Sequence, residues 1–253
     1  MKVSVSSRSR PKQGFAHYAH VLLNVLLALL VYVFVQIGIV PLAIGMVLLS
    51  KWRMFALRPR YWLLNLRSNA VDIIVGLSFV AFMLHTLSPG LRALLAVAYA
   101  GWLVLLKPRS SAPMIGLQAL AGQALGLWSL FLVWKDAPLV GLVFVVWLIS
   151  YLSARHYFST FDEMRAPMFA HVWGYFGAAL TWVLGRWLIF YGQIAQPTLI
   201  MTVLGFGMAS LYYLDHQGRL SSLVRRQFVF IMVAIVVVIL VFSGWGDVTI
   251  RRV

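Results

Sequence analysis

The stretch KWRMFALRPRYWLLNLRSNAVD, residues Lys51 to Asp72, is the longest polar interruption in a chain that is otherwise almost continuously apolar. It sets five cations, Lys51, Arg53, Arg58, Arg60 and Arg67, among Trp52, Phe55, Tyr61 and Trp62, a mixture suited to a lipid headgroup layer. On both sides the sequence returns to apolar runs long enough to cross a bilayer, so the face on which this stretch lies fixes the topology.

Composition excludes a water-soluble fold. Hydrophobic residues make up 62% of the 253 positions, charged residues 11%, and the mean hydropathy is +0.90, which is more apolar surface than a soluble domain can cover. A spanning helix needs about 20 apolar residues, and the runs here are continuous, without the alternating strands of an outer-membrane barrel. The expected fold is all-α, a polytopic transmembrane helix bundle. The balance of 21 Lys and Arg against 6 Asp and Glu would point to nucleic acid in a soluble domain. In a membrane protein it places basic residues in cytoplasmic loops, and no nucleic-acid partner is expected. With no cysteine there is no disulfide framework, thiolate metal site or catalytic thiol.

Nine spans are expected, near 19–36, 39–56, 70–87, 90–106, 113–134, 137–153, 168–190, 196–214 and 226–244. Residues 1–16 form a basic cytoplasmic tail, 17–244 a single transmembrane domain, and 245–253 a short external tail. The first apolar run is read as a retained span, because no small-residue cleavage site closes it around Val35 to Gly38. Charge separates the first two spans despite Pro41: one long helix would set the basic N-terminus and the Lys51–Arg67 loop on opposite faces. With two spans, only Arg92, Lys135, Arg186, Arg251 and Arg252 fall at the outer face, and all other Lys and Arg lie inside. The N-terminus is then cytoplasmic and the C-terminus external. Short turns at Ser88-Pro89-Gly90 and Lys135 to Pro138 leave the outer face nearly bare. On the inner face, the one-sided spacing of Tyr157, Phe158, Phe161 and Met164 predicts an interfacial helix over 155–167. The small-residue pairs Gly122 and Gly126, Gly174 and Ala178, and Gly205 and Ala209 are read as helix-packing faces within the monomer.

Leu48-Leu49-Ser50-Lys51-Trp52-Arg53-Met54-Phe55, then Arg58-Pro59-Arg60, then Asn69-Ala70-Val71-Asp72-Ile73-Ile74-Val75-Gly76 resemble uncharacterised multi-pass membrane proteins of Saccharibacteria, of the candidate phyla radiation. Tyr213-Leu214-Asp215-His216 and Phe242-Ser243-Gly244-Trp245-Gly246-Asp247 are similar to the ends of those proteins. The resemblance spans the chain. It implies a small-genome bacterium and a bacterial cell membrane, and carries over neither an activity nor a site.

Two fragments, Lys51-x6-Arg58-Pro59 and Arg165-x5-His171, resemble the first and third signatures of lipid-phosphate phosphatases related to phosphatidic acid phosphatase type 2. That resemblance implies cations holding a phosphoryl group while a histidine attacks it. The rest of the pattern is missing: there is no Pro-Ser-Gly-His, no Ser before Arg165, and Tyr175 stands where the orienting Asp belongs. Histidines and acids gather on the inner side, His17, His20, His156, His171 and His216 with Asp72, Asp162, Glu163 and Asp215. They lack the spacing of a ligand set, so neither a metal nor another cofactor is expected. All five lysines avoid the span interiors, which excludes a retinal Schiff base. No Asp or Glu falls near the middle of an expected span, which argues against a proton- or sodium-coupled carrier.

Asp72 lies about one turn into the third expected span, deep enough to favour a cationic partner. Helical spacing stacks Asn65, Asn69, Asp72 and Gly76 on one face and leaves Arg67 off it, so the partner should come from another loop, Arg58 or Lys51. The favoured reading is a non-enzymatic membrane component that joins a protein partner or a second copy of itself, or organises lipid. Its Lys51–Asp72 elbow would bind an anionic lipid headgroup or a polyprenyl phosphate at the inner leaflet through Lys51, Arg53, Arg58, Arg60 and Arg67, with Asn65, Asn69 and Asp72 as the polar floor. The alternatives are a phosphatase-like enzyme using Lys51, Arg58, Arg165 and His171, and an uncoupled permease with a polar path near Asn24, Gln118 or Gln123.

Overall fold

A computed structural model describes residues 14–52, 62–134, 136–161, 163–185, 190–191 and 193–244. Among them the chain is all-α. The elements are α1 (Phe15–Gln36), α2 (Val40–Leu49), α3 (Trp62–His85), α4 (Pro89–Gly101) continued by a π-helical turn (Trp102–Leu106), α5 (Ala112–Val133), α6 (Leu139–Phe158), α7 (Ala166–Leu184), α8 (Gln196–His216) and α9 (Ser222–Phe242). A two-residue antiparallel hairpin, β1 (Phe190–Tyr191) with β2 (Ile194–Ala195), leads into α8. Seven of the helices are long and apolar enough to cross a membrane. The other two are α2, with 10 residues, and α7, with 19 residues that include His171, Trp173 and Tyr175.

Local sequence explains where these helices begin. Five of them, α2, α4, α5, α7 and α8, carry proline in the first turn, where its missing N–H has no intrahelical acceptor to lose. Ser88 and Ser221 cap α4 and α9 by accepting from the N–H of Leu91 and Val224. Between α1 and α2 the chain reverses at Gly38, whose φ of +80° is open to a residue without Cβ.

The boundaries differ from expectation in four places, one of them the seventh expected span, 168–190, whose helix ends at Leu184 and whose Phe190 already belongs to the hairpin. The second expected span, 39–56, contains only ten helical residues before Ser50, so α2 rises about 15 Å, half a bilayer. The third expected span, 70–87, belongs to a helix that already starts at Trp62. Asp72 therefore sits about 15 Å along α3 and seven residues inside the apolar span Asn65–His85, nearer the basic end of that span than its middle. Among the described residues no separate interfacial helix covers 155–167: α6 continues to Phe158 and α7 begins at Ala166. The one-sided aromatic spacing reflects a helix contact instead. Tyr157 donates to the Ala209 carbonyl at 2.7 Å, and Phe158 and Phe161 pack edge-on to Tyr212 of α8.

Three apolar clusters hold the described bundle, the smallest being Ala119, Tyr157 and Phe161 against α8. Of the larger two, one joins α1 to α4 through Val31, Val47, Val75, Met83, Tyr99 and Leu103, and the other joins α5, α6 and the start of α8 through Leu127, Phe131, Leu142, Val146 and Met201. The α5 helix links them by its small-residue stripe. A Cβ on Gly122 would lie 2.8 Å from Val71 Cγ1, and one on Gly126 would lie 2.5 Å from Ile74 Cγ2, so these glycines set the α3–α5 approach. On α9 only Ile239 is buried, while Phe230, Val241 and Phe242 point outward, the surface a lipid-facing helix presents.

Candidate functional site

Apart from Asp72, the charged side chains among the described residues lie near the helix ends. At one end of the bundle, Arg92 donates to Gln36 Oε1 at 3.0 Å and to the Thr86 carbonyl at 2.7 Å, tying the α3–α4 turn to the end of α1. The other end carries Lys51, Arg67, Lys107, Arg109, Arg155, Arg165 and Arg219, and it contains the candidate site.

The centre of that site is Asp72. Its Oδ2 receives Lys51 Nζ at 2.9 Å and Lys107 Nζ at 3.4 Å, and its Oδ1 accepts from the Trp102 indole N–H at 3.3 Å. Each donor is positioned by a distinct backbone feature. Lys51 follows the C-terminus of the half-length α2, where a cation complements the helix dipole, and it is 7% exposed. Trp102 and Lys107 bracket the π-helical turn, in which the Lys107 N–H bonds the Trp102 carbonyl at 2.9 Å. A lysine at the end of a span ordinarily extends toward water. Lys107 instead folds inward to Asp72 and remains 29% exposed. One carboxylate against two ammonium groups leaves an excess of one positive charge.

A second polar set adjoins it. Gln118 of α5 donates to the carbonyls of Leu106 and Arg109 at 2.7 and 2.9 Å, which fixes the chain just beyond the π turn. Its Oε1 meets His156 Nε2 of α6 at 3.1 Å. At the α6–α7 connection, Glu163 accepts from the Arg165 backbone N–H at 3.0 Å and from the Tyr212 hydroxyl at 2.9 Å. These two donors, the backbone N–H first, hold its carboxyl below the ordinary carboxylate range.

Of the residues singled out from the sequence, the structure brings Lys51 and Asp72 together. Asn69 turns its amide onto the Asn65 carbonyl at 2.9 Å and the Ser68 hydroxyl, and makes no bond to Asp72. Arg67 lies with Ala70, Ile74 and Tyr151 along a groove of about 950 Å³ between α3, α5 and α6. Arg53, Arg58 and Arg60, and with them the turn at Pro59, lie outside the described residues. In the phosphatase-like set, Lys51 is held by Asp72, while His171 packs 4.5 Å from the Tyr151 ring and 5.9 Å from that of Trp147, with its Nδ1 unpartnered. Among the described residues no hydrogen bond or ion pair joins Lys51, Arg165 and His171. The three candidate path residues belong to separate sets: Asn24 with His20, Gln118 with His156, and Gln123 with Trp173 and the Met201 carbonyl. No three His, Asp or Glu among the described residues gather as metal ligands.

Sequence reading missed Lys107, Trp102 and the Gln118–His156 pair. Lys107 was visible as the cation closing the fourth span. The π turn that aims it was not. No protein-family model, curated protein or solved structure matches this chain.

Proposed function

We propose that this chain is a non-catalytic integral membrane protein of a bacterial cell membrane that binds anionic lipid headgroups at its basic end, as a lipid-organising component or a subunit of a membrane complex. The observation that carries the proposal is the excess positive charge at Asp72. Two lysines converge on one carboxylate inside a helix bundle, Lys51 is consumed by that pairing, and Lys107 keeps part of its surface open. A charge withdrawn from water is costly unless an opposite charge meets it, and a lipid phosphate lies at the depth where Lys107 leaves its span. Arg53, Arg58, Arg60 and Arg67 add positive potential in the same stretch of sequence, each contributing about 1 kcal/mol near an anionic surface. Asp72 serves as a brace: it holds the two ammonium groups in place and lowers their mutual repulsion.

The proposed topology has nine crossings, α2 belonging to the second, with an N-terminus inside and a C-terminus outside. It is supported by the clustering of cations at the Lys51 end against Arg92 at the other. Reporter fusions after Arg60 and after Arg165 should read as cytoplasmic, and one after Asp247 as external. Lipid binding is tested by native mass spectrometry of the full chain released from nanodiscs of mixed phosphatidylglycerol and phosphatidylcholine. Wild type should retain phosphatidylglycerol, and the triple variant Arg58→Ala, Arg60→Ala, Lys107→Ala should lose that preference. Equal retention by both proteins would reduce the basic end to a topology signal.

A further inference from the structure

A second cavity shares Gln123, Trp173, Tyr157 and Tyr212 with the hydrogen-bonded sets above and contains none of the Asp72 cluster. It lies between α5, α6, α7 and α8 and holds about 280 Å³. Along α5 it runs from Gly116 near the basic end to Gln123, seven residues or about 10 Å at 1.5 Å per residue. Dividing volume by length gives a cross-section of about 27 Å², the width of one hydrocarbon chain. Its capacity is about nine methylene-sized groups, taking each near the 30 Å³ that a water molecule occupies in the liquid.

The polar groups in its wall are nearly all occupied. Tyr157 donates to the Ala209 carbonyl, Tyr212 to Glu163, Trp173 to Gln123 Oε1, and Gln123 to the Met201 carbonyl. The exception is Ser153. It is 2% exposed, lines the cavity, and its hydroxyl has no partner, although a serine in a membrane helix can ordinarily bond a carbonyl of the preceding turn. Ser153 lies five residues from the end of α6 at Phe158, about 7 Å below it. Ser153 therefore lies toward the basic end of the cavity, level with its Tyr157 and Gly116 walls.

We propose that this cavity is a binding site for one acyl chain of a membrane phospholipid, with the Ser153 hydroxyl donating to the ester carbonyl and the chain descending past Trp173 to Gln123. The guest is apolar because the wall offers it one hydrogen bond and no charge. The site is independent of the Lys51–Asp72–Lys107 cluster, and its failure would leave the headgroup proposal untouched.

The full chain is reconstituted in vesicles containing phospholipid with dibrominated chains, and bromine quenching of Trp173 is obtained as the difference between wild type and Trp173→Phe. The Trp173 component should be quenched more strongly than the average of the remaining tryptophans when bromine is at carbons near the middle of the chain. Ala119→Phe, which fills the cavity, should remove that excess. Ser153→Ala, a change too small to unfold the bundle, should raise the brominated lipid needed for half-quenching by about 2- to 10-fold, as expected for one neutral hydrogen bond. Trp173 quenching no greater than the average in wild type would overturn the proposal, as would an unchanged half-quenching concentration in Ser153→Ala. Stronger quenching by a brominated free fatty acid at the same mole fraction would overturn the phospholipid as occupant.

Discussion

Replacing Asp72 by alanine should be among the most damaging single substitutions in the chain, because it strands two ammonium groups where water is scarce. Lys51 has 7% of its side chain exposed and loses its 2.9 Å partner, Lys107 has 29% exposed and can swing outward, and the Trp102 indole loses its acceptor. Removing one member of a buried ion pair costs about 3–5 kcal/mol. The Lys51 share should approach that range, while the Lys107 share is reduced by solvent screening to the 0–1 kcal/mol of exposed pairs. Asp72→Ala is therefore expected to cost about 3–5 kcal/mol and Lys107→Ala about 1 kcal/mol or less. The double variant Asp72→Ala, Lys51→Met should recover much of the loss, because it removes the buried charge along with its partner. Reversible denaturation of detergent-solubilised protein, followed by tryptophan fluorescence, measures all three. If Asp72→Ala and Lys107→Ala cost the same, or if Lys51→Met rescues nothing, the two lysines do not depend on Asp72 in the way their distances imply.

Two further outcomes follow from other parts of the bundle. Gly126→Leu should destabilise by about 1–3 kcal/mol or more through overpacking, since even a Cβ there would lie 2.5 Å from Ile74 and 3.1 Å from Ile149, whereas Gly45→Leu, with nothing near it, should be close to neutral in the same denaturation assay. Glu163 is stabilised as the carboxylate, so its contact with Tyr212 is fully present above the ordinary carboxylate pKa and is lost only as pH falls through the lowered value of the folded protein. An NMR titration of the labelled Glu163 carboxyl in micelles should place its midpoint below that of a free glutamate, and an equal or higher midpoint would contradict the paired geometry.

The all-α character was legible because hydropathy acts over whole segments. Continuous apolar runs require no knowledge of packing, and the prolines that open five helices are local signals. The site was legible in part. Helical spacing set Asp72 on the Gly76 face of α3 and pointed to another loop, Arg58 or Lys51, for its partner, and the structure supplies Lys51. Lys107 and Trp102 did not follow. Five positions apart on an α-helix they would point about 140° away from each other at 100° per residue, whereas across the π-helical turn both meet one carboxylate. The length of α2 was hidden for a related reason: apolar residues continue to Leu49 and resume at Met54 and Phe55, so hydropathy runs on past the helix end at Ser50. The aromatic run at 157–161 misled because one-sided spacing marks burial against α8 as readily as burial in a headgroup layer.

The most direct test of headgroup binding is a distance between nitrogen and phosphorus. With lysine labelled with 15N and the chain reconstituted in phosphatidylglycerol bilayers, a solid-state NMR measurement of 15N–31P dipolar coupling reports whether an ammonium group touches a lipid phosphate. A charge-assisted hydrogen bond of about 2.7–2.9 Å from nitrogen to oxygen predicts a strong coupling for the Lys107 ammonium, absent in Lys107→Gln and weak in phosphatidylcholine alone. No coupling difference between wild type and Lys107→Gln would contradict the account.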